Sequence, residues 1–457
     1  MSALRLSAIR EQLRTSLWFW PALAVTGAIV VGTALPMLEP GSTRSAPGFA
    51  GTPEGARAIL ATVAGSTITV TGLTFSLTVV ALQVASSQFT PRLMRTFLSD
   101  RGNQAVLSVF LGTFAYTLAV LRSVRSSSEA GGSFVPDIAV ALGLALTVLS
   151  VAMLVYFFHH LTQQLRVESV LAELQRDTAR LARDLLPLRE DDDHAAPELP
   201  DVHVDATPLR ALRTGYLQTV DGDRLRQVAI GHGVVLVLRP VVGGHVTQGS
   251  TVAWAVPLSE SGALVDRSVD LEALTRDLHG GIHLGRERTL QQDVAFGIRQ
   301  LVDIVARALS PGINDPATAV AAIGSLAAVL AELTGRRLDP IVRTDEEGRV
   351  RAVAPQPTFA EILALACDQP RRYGRSEPAV LTELLRMLTD LSERKPGDEA
   401  REAIRGQIAA TVGVAESAGL SEAELSRVYS VARHARAALA RGHRVAVVPA
   451  EAPEPAP

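Results

Sequence analysis

The sequence predicts an α-helical membrane bundle of four spans, followed by a cytoplasmic α+β region made of a small β half-barrel and then a helical domain. Three observations lead to this fold class. The mean hydropathy is +0.22 although 20% of the residues are charged, and the long apolar runs lie before His160. Short β-branched runs follow between residues 202 and 257. Helical patterns with capping residues dominate from Leu271 onward.

The four spans are continuous apolar stretches of a length that can cross a bilayer, which takes about 20 residues. They run from Leu17 to Leu38, from about Ala58 to Val84, from Ala105 to Leu121 and from Ile138 to Phe158. The apolar part of a cleavable signal peptide is about 7–15 residues, so we interpret the first stretch as a retained span. His159 and His160, at the end of the fourth span, are interpreted as interfacial anchors rather than a metal pair.

The distribution of arginine predicts the orientation of these spans. Ten arginines flank them on one side and four on the other. The ten are Arg5, Arg10, Arg14, Arg92, Arg95, Arg101, Arg166, Arg176, Arg180 and Arg183, and the four are Arg44, Arg57, Arg122 and Arg125. Because cytoplasmic loops carry the excess of positive charge, we expect a bacterial inner-membrane protein with both termini in the cytoplasm.

Polar residues on the second span form two stripes on opposite faces of the helix. One stripe is Thr67, Thr71, Thr74 and Thr78, and the other is Thr69, Ser76, Gln83 and Ser87. In one interpretation the hydroxyls bond to carbonyls of their own helix and the small residues allow close helix packing. In the other, one stripe packs on a neighbour and the opposite stripe lines a water-filled path. The candidate pore or helix-packing residues are Thr67, Thr71, Thr74, Ser76, Thr78 and Gln83.

The chain after the four-span domain (residues 1–160) divides into five predicted parts. Residues 161–189 form a cytoplasmic stalk helix, whose heptad-like seam either packs on the protein's own soluble domain or holds protomers together. Residues 190–200 are a linker and residues 201–265 a small β-rich domain. The stretch "RPVVGGHVTQGSTVAWA" there resembles a lipoyl/biotinyl-type half-barrel, without a lysine to modify. Residues 266–442 form a helical cytoplasmic domain, and residues 443–457 a disordered tail.

The stretch "GRERTLQQDVAFGIRQLVDIVARALSPGINDPATA" contains the candidate ligand site of the cytoplasmic part. Arg286 and Arg288 precede a predicted helix start capped by Thr289 with Gln292, and helix starts carry partial positive charge. In one interpretation these arginines pair with Asp293 or Glu287 of the same chain. In the other they bind an anionic partner, either a small ligand or a lipid headgroup. We group Asn314 with them; Asn314 or Asp315 caps the next helix. That helix is apolar, and we interpret it as a buried core helix rather than a fifth span.

Several classes of chemistry lack their residues in this sequence. There is one cysteine, Cys367, and one lysine, Lys395, and we find no P-loop, nucleophile elbow or metal-ligand spacing. We therefore expect no enzyme activity, no cofactor and no metal. Residues 1–189 contain fifteen arginines against ten acidic residues, whereas the whole chain has a net charge of −3. This split argues against nucleic acid as a partner.

Three stretches resemble an uncharacterised family of predicted bacterial multi-pass membrane proteins, a domain of unknown function. They are "FSLTVVALQVASSQFTPRLMRTFLSDRGNQAVLSVFLGTFAYTL", "GYLQTVD" and the candidate-ligand stretch quoted above. The resemblance covers about Leu17 to Ala440 and implies an inner-membrane location, with no catalytic residues to transfer. We expect a homo-oligomeric channel, transporter or permeability regulator with a cytoplasmic sensing domain. The alternative is a non-transporting scaffold or signalling protein that binds partners or lipids through its cytoplasmic helices.

Overall fold

A computed structural model describes residues 18–39, 52–88, 100–125, 134–164, 166–189, 206–257 and 270–441, without the side chains of residues 85–88. The predicted linker, the predicted tail and the side chain of Ser87 lie outside these residues. The chain divides into two compact units, Met1–Val170 and Leu171–Pro457. We describe each unit by itself.

The first unit is built from four long apolar helices. These are α1 (Phe19–Leu38), α2 (Pro53–Gln88), α3 (Arg101–Leu121) and α4 (Asp137–Gln164). Helix α3 packs against all three others and contributes the buried side chains of Phe110 and Tyr116. Gly32 of α1 lies directly on α3, because a Cβ atom at this position would be 2.8 Å from the Cβ atom of Ala119. Each of the four predicted spans is therefore a helix, and all four contribute to a hydrophobic cluster around Tyr116.

Polar contacts close the unit at the end where α1 ends and α4 begins. The Glu39 carboxylate accepts hydrogen bonds from the backbone N–H groups of Ile138 and Ala139, at 3.3 and 2.9 Å. The Arg57 guanidinium donates to the carbonyl oxygen of Val124 at 2.7 Å. These side chains satisfy backbone groups that a helix end leaves without partners inside the helix.

The second unit contains two β-sheets. Its strands are β1 (Thr207–Arg210), β2 (Gly215–Val220), β3 (Val234–Leu238), β4 (His245–Val246), β5 (Thr251–Pro257), β6 (Ile282–Gly285), β7 (Ile341–Thr344) and β8 (Val350–Ala354). The orders are β1-β5-β3-β8-β7 and β4-β2-β6. Only β3 with β8 is a parallel pair among these strands; Leu236 lies opposite Ala352. The strands within residues 201–265 are thus divided between two sheets, which also contain β6, β7 and β8 from later in the chain.

Nine helices complete the described part of the second unit. They are α5 (Val167–Leu185, which begins before the boundary), α6 (Gly222–His232), α7 (Leu271–Gly281), α8 (Val294–Ala308), α9 (Pro316–Thr334), α10 (Phe359–Tyr373), α11 (Pro378–Glu393), α12 (Asp398–Ser417) and α13 (Glu422–Arg441). The seam of α5 is buried at Leu171, Leu174 and Thr178. Thr178 packs on Gly297 of α8. The structure therefore favours packing of α5 on the second unit of the same chain over a free stalk.

Five described helices are long and apolar enough to cross a membrane by length and composition: α1, α2, α3, α4 and α9. Helix α9 packs against α8 and α11, and Ile323, Leu326 and Leu330 are fully buried. The Asp315 side chain caps it by accepting from the Thr318 N–H at 3.0 Å. The protein is thus mostly helical, with five apolar helices and a later α+β region.

Candidate functional site

One polar stripe of α2 is buried inside the first unit. Thr67, Thr71, Thr74 and Thr78 are between 1% and 8% exposed. The Thr71 hydroxyl donates to the Thr67 carbonyl at 2.7 Å and the Thr78 hydroxyl donates to the Thr74 carbonyl at 2.8 Å; Thr67 donates to the Val63 carbonyl. The Thr74 hydroxyl is buried without a hydrogen-bond partner among the described residues. This stripe is a packing surface between helices.

The opposite stripe of α2 is open. Thr69, Ser76 and Gln83 are exposed, and within the described residues no hydrogen bond is formed by the Ser76 or Gln83 side chain. The Thr69 hydroxyl donates to the Gly65 carbonyl at 2.8 Å. A Cβ atom added at Gly65 or at Gly72 would meet nothing within 4 Å.

The open stripe also has a regular spacing. Thr62 is exposed and extends it, so that Thr62, Thr69, Ser76 and Gln83 are seven residues apart in sequence. A seven-residue repeat keeps one face of a helix directed at a neighbouring helix when the two helices supercoil around each other. We name these four residues together with Gly65 and Gly72 the open stripe. Its geometry suits either close approach of another helix or a water-filled path.

A polar cluster that the sequence interpretation missed joins the start of α3 to the end of α4. The His160 Nε2 atom lies 2.7 Å from a carboxylate oxygen of Asp100 and 3.0 Å from the Gln164 carboxamide nitrogen. Asp100 also caps α3 by accepting from the Asn103 N–H at 2.9 Å. The ring of His160 covers Gly102, where a Cβ atom would overlap it. The signal in the sequence is Asp100 three residues before Asn103, a helix-capping pattern.

Arg288 pairs with Asp293, as one of the two alternatives for the basic stretch predicts. The Arg288 Nε and Nη2 atoms donate to the two carboxylate oxygens of Asp293 at 2.9 and 3.0 Å. Its guanidinium also lies 5.1 Å from the ring centre of Phe296. Asp293 is only 3% exposed and caps α8 by accepting from the Phe296 N–H at 2.9 Å.

Burial and the paired arginine act on Asp293 in opposite directions. Burial raises the pKa of the Asp293 carboxyl above its usual value, and this effect outweighs the charge of Arg288 and the hydrogen bonds from Arg288 and the Phe296 N–H, which lower it. A negative charge at this position therefore depends on Arg288 for compensation.

The predicted capping pair Thr289 and Gln292 is wrong. Helix α8 begins at Val294 with Asp293 as its cap. The Gln292 carboxamide instead bonds the backbone of β2, accepting from the Val220 N–H at 2.8 Å and donating to the Val220 carbonyl at 3.3 Å. Gln292 thereby fixes the start of α8 to the sheet.

The two other candidate ligand residues lie on the surface. Arg286 and Asn314 are exposed, and the Arg286 side chain has no charged partner within the described residues. Asn314 adopts a left-handed backbone conformation, with φ of 50°, and Asp315 rather than Asn314 caps α9. The structure does not join Arg286 and Arg288 into one site, because Arg288 is engaged by Asp293. Among the described residues, no group of three or more His, Cys, Asp or Glu side chains could hold a metal ion.

Comparisons with known proteins agree on the class of this chain. The sequence model of a family described as predicted membrane protein (DUF2254) matches residues 14–390. Two relatives, one from Mycobacterium tuberculosis and one from Mycobacterium bovis, are each 37% identical over 447 residues, which cover 97% of this chain and 85% of the relative. Both carry the name uncharacterized protein. No solved structure matches the chain.

Proposed function

We propose, from the premise that the chain belongs to the DUF2254 family of predicted membrane proteins, that it is an oligomeric channel, transporter or permeability regulator. The open stripe of α2 carries this proposal. An amide transferred from water to an apolar medium without a hydrogen bond costs roughly 2–7 kcal/mol. The exposed Gln83 side chain is therefore poorly suited to lipid, and a water-filled path or another polar helix face suits it better.

Four spans and one orientation complete the proposal. Helices α1 to α4 cross the membrane, whereas α9 belongs to the soluble unit because its apolar side chains are buried there. Both termini lie in the cytoplasm of the bacterial cell, on the side where ten of the fourteen flanking arginines lie. The soluble unit is then cytoplasmic and acts as the sensing part. We propose no catalytic step for either unit.

A second copy of the chain supplies the facing helix. Gly65 and Gly72 leave room for close backbone approach, which small residues permit between membrane helices. The seven-residue spacing of the open stripe lets two or more α2 helices present the same face to a shared axis. In this arrangement Ser76 and Gln83 line the axis, and the buried threonine stripe holds α2 to its own bundle.

Ion flux from proteoliposomes tests this function. Purified full-length protein is reconstituted and the flux of Na⁺, K⁺, Cl⁻ and a neutral osmolyte is measured for wild type, Gln83→Leu and the matched control Thr71→Val. We expect Gln83→Leu to change the flux, because it removes the amide from the path. Thr71→Val removes a hydroxyl that bonds only its own helix, and it should leave the flux close to wild type.

Cysteine labelling separates a pore from a packing seam. The native Cys367 thiol is buried, and burial raises its pKa to about 12, so it should not react. Ser76→Cys at a pore wall should react with a charged, membrane-impermeant thiol reagent and lose flux. The opposite result has two parts: liposomes with folded wild-type protein show no flux, and Ser76→Cys forms disulfide-linked dimers. That result would favour the alternative function, a non-transporting oligomeric scaffold.

A further inference from the structure

The soluble unit contains a cavity of about 490 Å³. Its walls come from the end of α5, the start of α6, the turn between β3 and β4, the start of α8, strand β7 and the segment after β8. Cavities that hold small molecules are typically about 300–1,000 Å³. The cavity is therefore large enough for a small organic ligand, and Arg286 and Asn314 do not line it.

Apolar residues form most of the cavity wall, and five of them are prolines. The prolines are Pro187, Pro240, Pro340, Pro355 and Pro357. Val242, Ile341 and Ile362 also line it. Proline has a fixed φ angle and no backbone N–H, so these five positions offer neither flexibility nor hydrogen-bond donors. The wall is thus preformed and chiefly apolar.

The arginines at the cavity are already paired with carboxylates. Arg337 lies 2.7 Å from Asp339, and Arg343 lies 3.5 Å from Asp223. The buried Asp293 is compensated by Arg288, at 2.7 Å. Asp184 is exposed at the wall. With no unpaired cation among the described lining residues, nothing in this charge pattern calls for an anionic ligand.

Two residues at the cavity have backbone N–H groups without an acceptor among the described residues. Val294 and Ala295 begin α8 and line the cavity, and their N–H groups have no acceptor in the described part of the chain. The Asp293 carboxylate, which could have capped them, accepts from the Phe296 N–H instead. The first N–H groups of a helix have no partner inside the helix and carry partial positive charge. An acceptor oxygen of a ligand would satisfy them.

We propose that this cavity binds an uncharged, mainly apolar small molecule that places an acceptor oxygen on the Val294 and Ala295 N–H groups. The apolar body contacts the proline-rich wall, and the oxygen takes up the donors that the protein leaves open. This binding extends the proposed function by giving the sensing unit a ligand. It is measured without ion flux, so failure of the channel proposal and failure of this one are distinguishable.

Three probes with one ring test the class of ligand: cyclohexanone, cyclohexanecarboxylate and cyclohexylamine. Binding is measured by saturation-transfer difference NMR on the full chain in nanodiscs, with empty nanodiscs subtracted. We expect cyclohexanone to give the strongest signal at the protein. Preference for the carboxylate or the amine would overturn the assignment of an uncharged ligand.

Two variants test the position of the ligand. Val294→Pro removes one N–H at the first helical position, where proline is well tolerated, and should weaken cyclohexanone binding about two- to tenfold, the worth of one hydrogen bond. Ala295→Leu fills the cavity and should abolish binding. Leu271→Pro is the matched control, because Leu271 is exposed at the first position of α7 and lies outside the cavity lining.

The variants also decide against the proposal if it is wrong. Equal affinity in Val294→Pro and Leu271→Pro, or unchanged binding in a folded Ala295→Leu variant, would place the probe elsewhere and overturn it. Circular dichroism checks folding. If Val294→Pro does not fold, Ala295→Leu alone decides the question, since leucine is a good helix former at a partly exposed position.

Discussion

Removal of Arg288 should be among the most destabilising single changes in the second unit. In Arg288→Ala, the Asp293 carboxylate would lose its bidentate partner while it remains 3% exposed. Breaking a buried ion pair from one side costs about 3–5 kcal/mol, since an uncompensated charge stays behind. Arg288 is also partly buried, at 27% side-chain exposure, and packs on Phe296. The loss of this packing should destabilise the variant further.

Two further variants isolate the charge. Arg286→Ala is the matched control, because this neighbouring arginine is exposed, and its free energy of unfolding should stay within about 0.5 kcal/mol of wild type. In the double variant Arg288→Ala/Asp293→Asn, the asparagine can still accept from the Phe296 N–H as a helix cap. It carries no charge, so the double variant should be more stable than Arg288→Ala alone.

The pH dependence has a definite sign. Burial raises the pKa of Asp293, and Arg288→Ala raises it further, so the folded state binds a proton more tightly than the unfolded state. Stability linked to that proton is present at low pH and lost as the pH rises through the folded pKa. The deficit of Arg288→Ala should therefore shrink as the pH is lowered and grow toward neutral pH.

Tryptophan fluorescence gives a suitable assay. Trp254 on β5 is the only tryptophan of the second unit, and Trp18 and Trp20 are the other two in the chain. In a Trp18→Phe/Trp20→Phe background, urea unfolding followed at Trp254 reports this unit. Equal free energies of unfolding for Arg288→Ala and Arg286→Ala at neutral pH, or a deficit independent of pH, would refute the reasoning.

Three further changes have expected outcomes. Gly243→Ala should lower the free energy of unfolding in the same assay by at least about 1 kcal/mol, because φ is +85° and the methyl group would overlap the Asp293 carboxylate. Burial opposes ionisation of Asp345, but hydrogen bonds from two arginines outweigh it and hold its pKa below the usual range. The free energy of unfolding of the wild type should therefore decrease as the pH is lowered below about 4, and the decrease should be smaller in Asp345→Asn. Gly102→Ala should lower the thermal stability of the detergent-solubilised protein, measured by loss of the monodisperse size-exclusion peak, because the methyl group would overlap His160.

The helices could be predicted from the sequence because apolar stretches and capping residues are local patterns. Each predicted span is a helix, although α2 begins at Pro53 rather than near Ala58 and α4 continues to Gln164 rather than Phe158. The extra residues include the charged Glu54 and Arg57 and the polar end of α4, so an apolar window does not include them, whereas the helices continue through them. Helix α10 begins with a capping box of Thr358 and Glu361, a pattern that can be read from the sequence because both of its bonds are local.

Long-range pairing accounts for what the sequence did not reveal. Strand β8 pairs with β3 from more than 100 residues away, and its partner β7 is short and partly exposed. Neither strand has an alternation that separates it from a loop. The same holds for Gln292, whose partner Val220 is 72 residues distant. Local patterns cannot reveal a bond whose partner lies on another element.

Among the residues of the open stripe, Gln83 is the one whose side chain needs a hydrogen-bond partner outside its own helix. A threonine hydroxyl in a helix can donate to the carbonyl four residues earlier, as Thr69 and Thr71 both do, so a hydroxyl at membrane depth is compatible with packing, lipid or water alike. A glutamine has two donors and two acceptor lone pairs. Its own helix has no free backbone N–H group to offer its carbonyl oxygen. Gln83 thus requires a partner outside its helix, and the identity of that partner separates a pore from a packing seam.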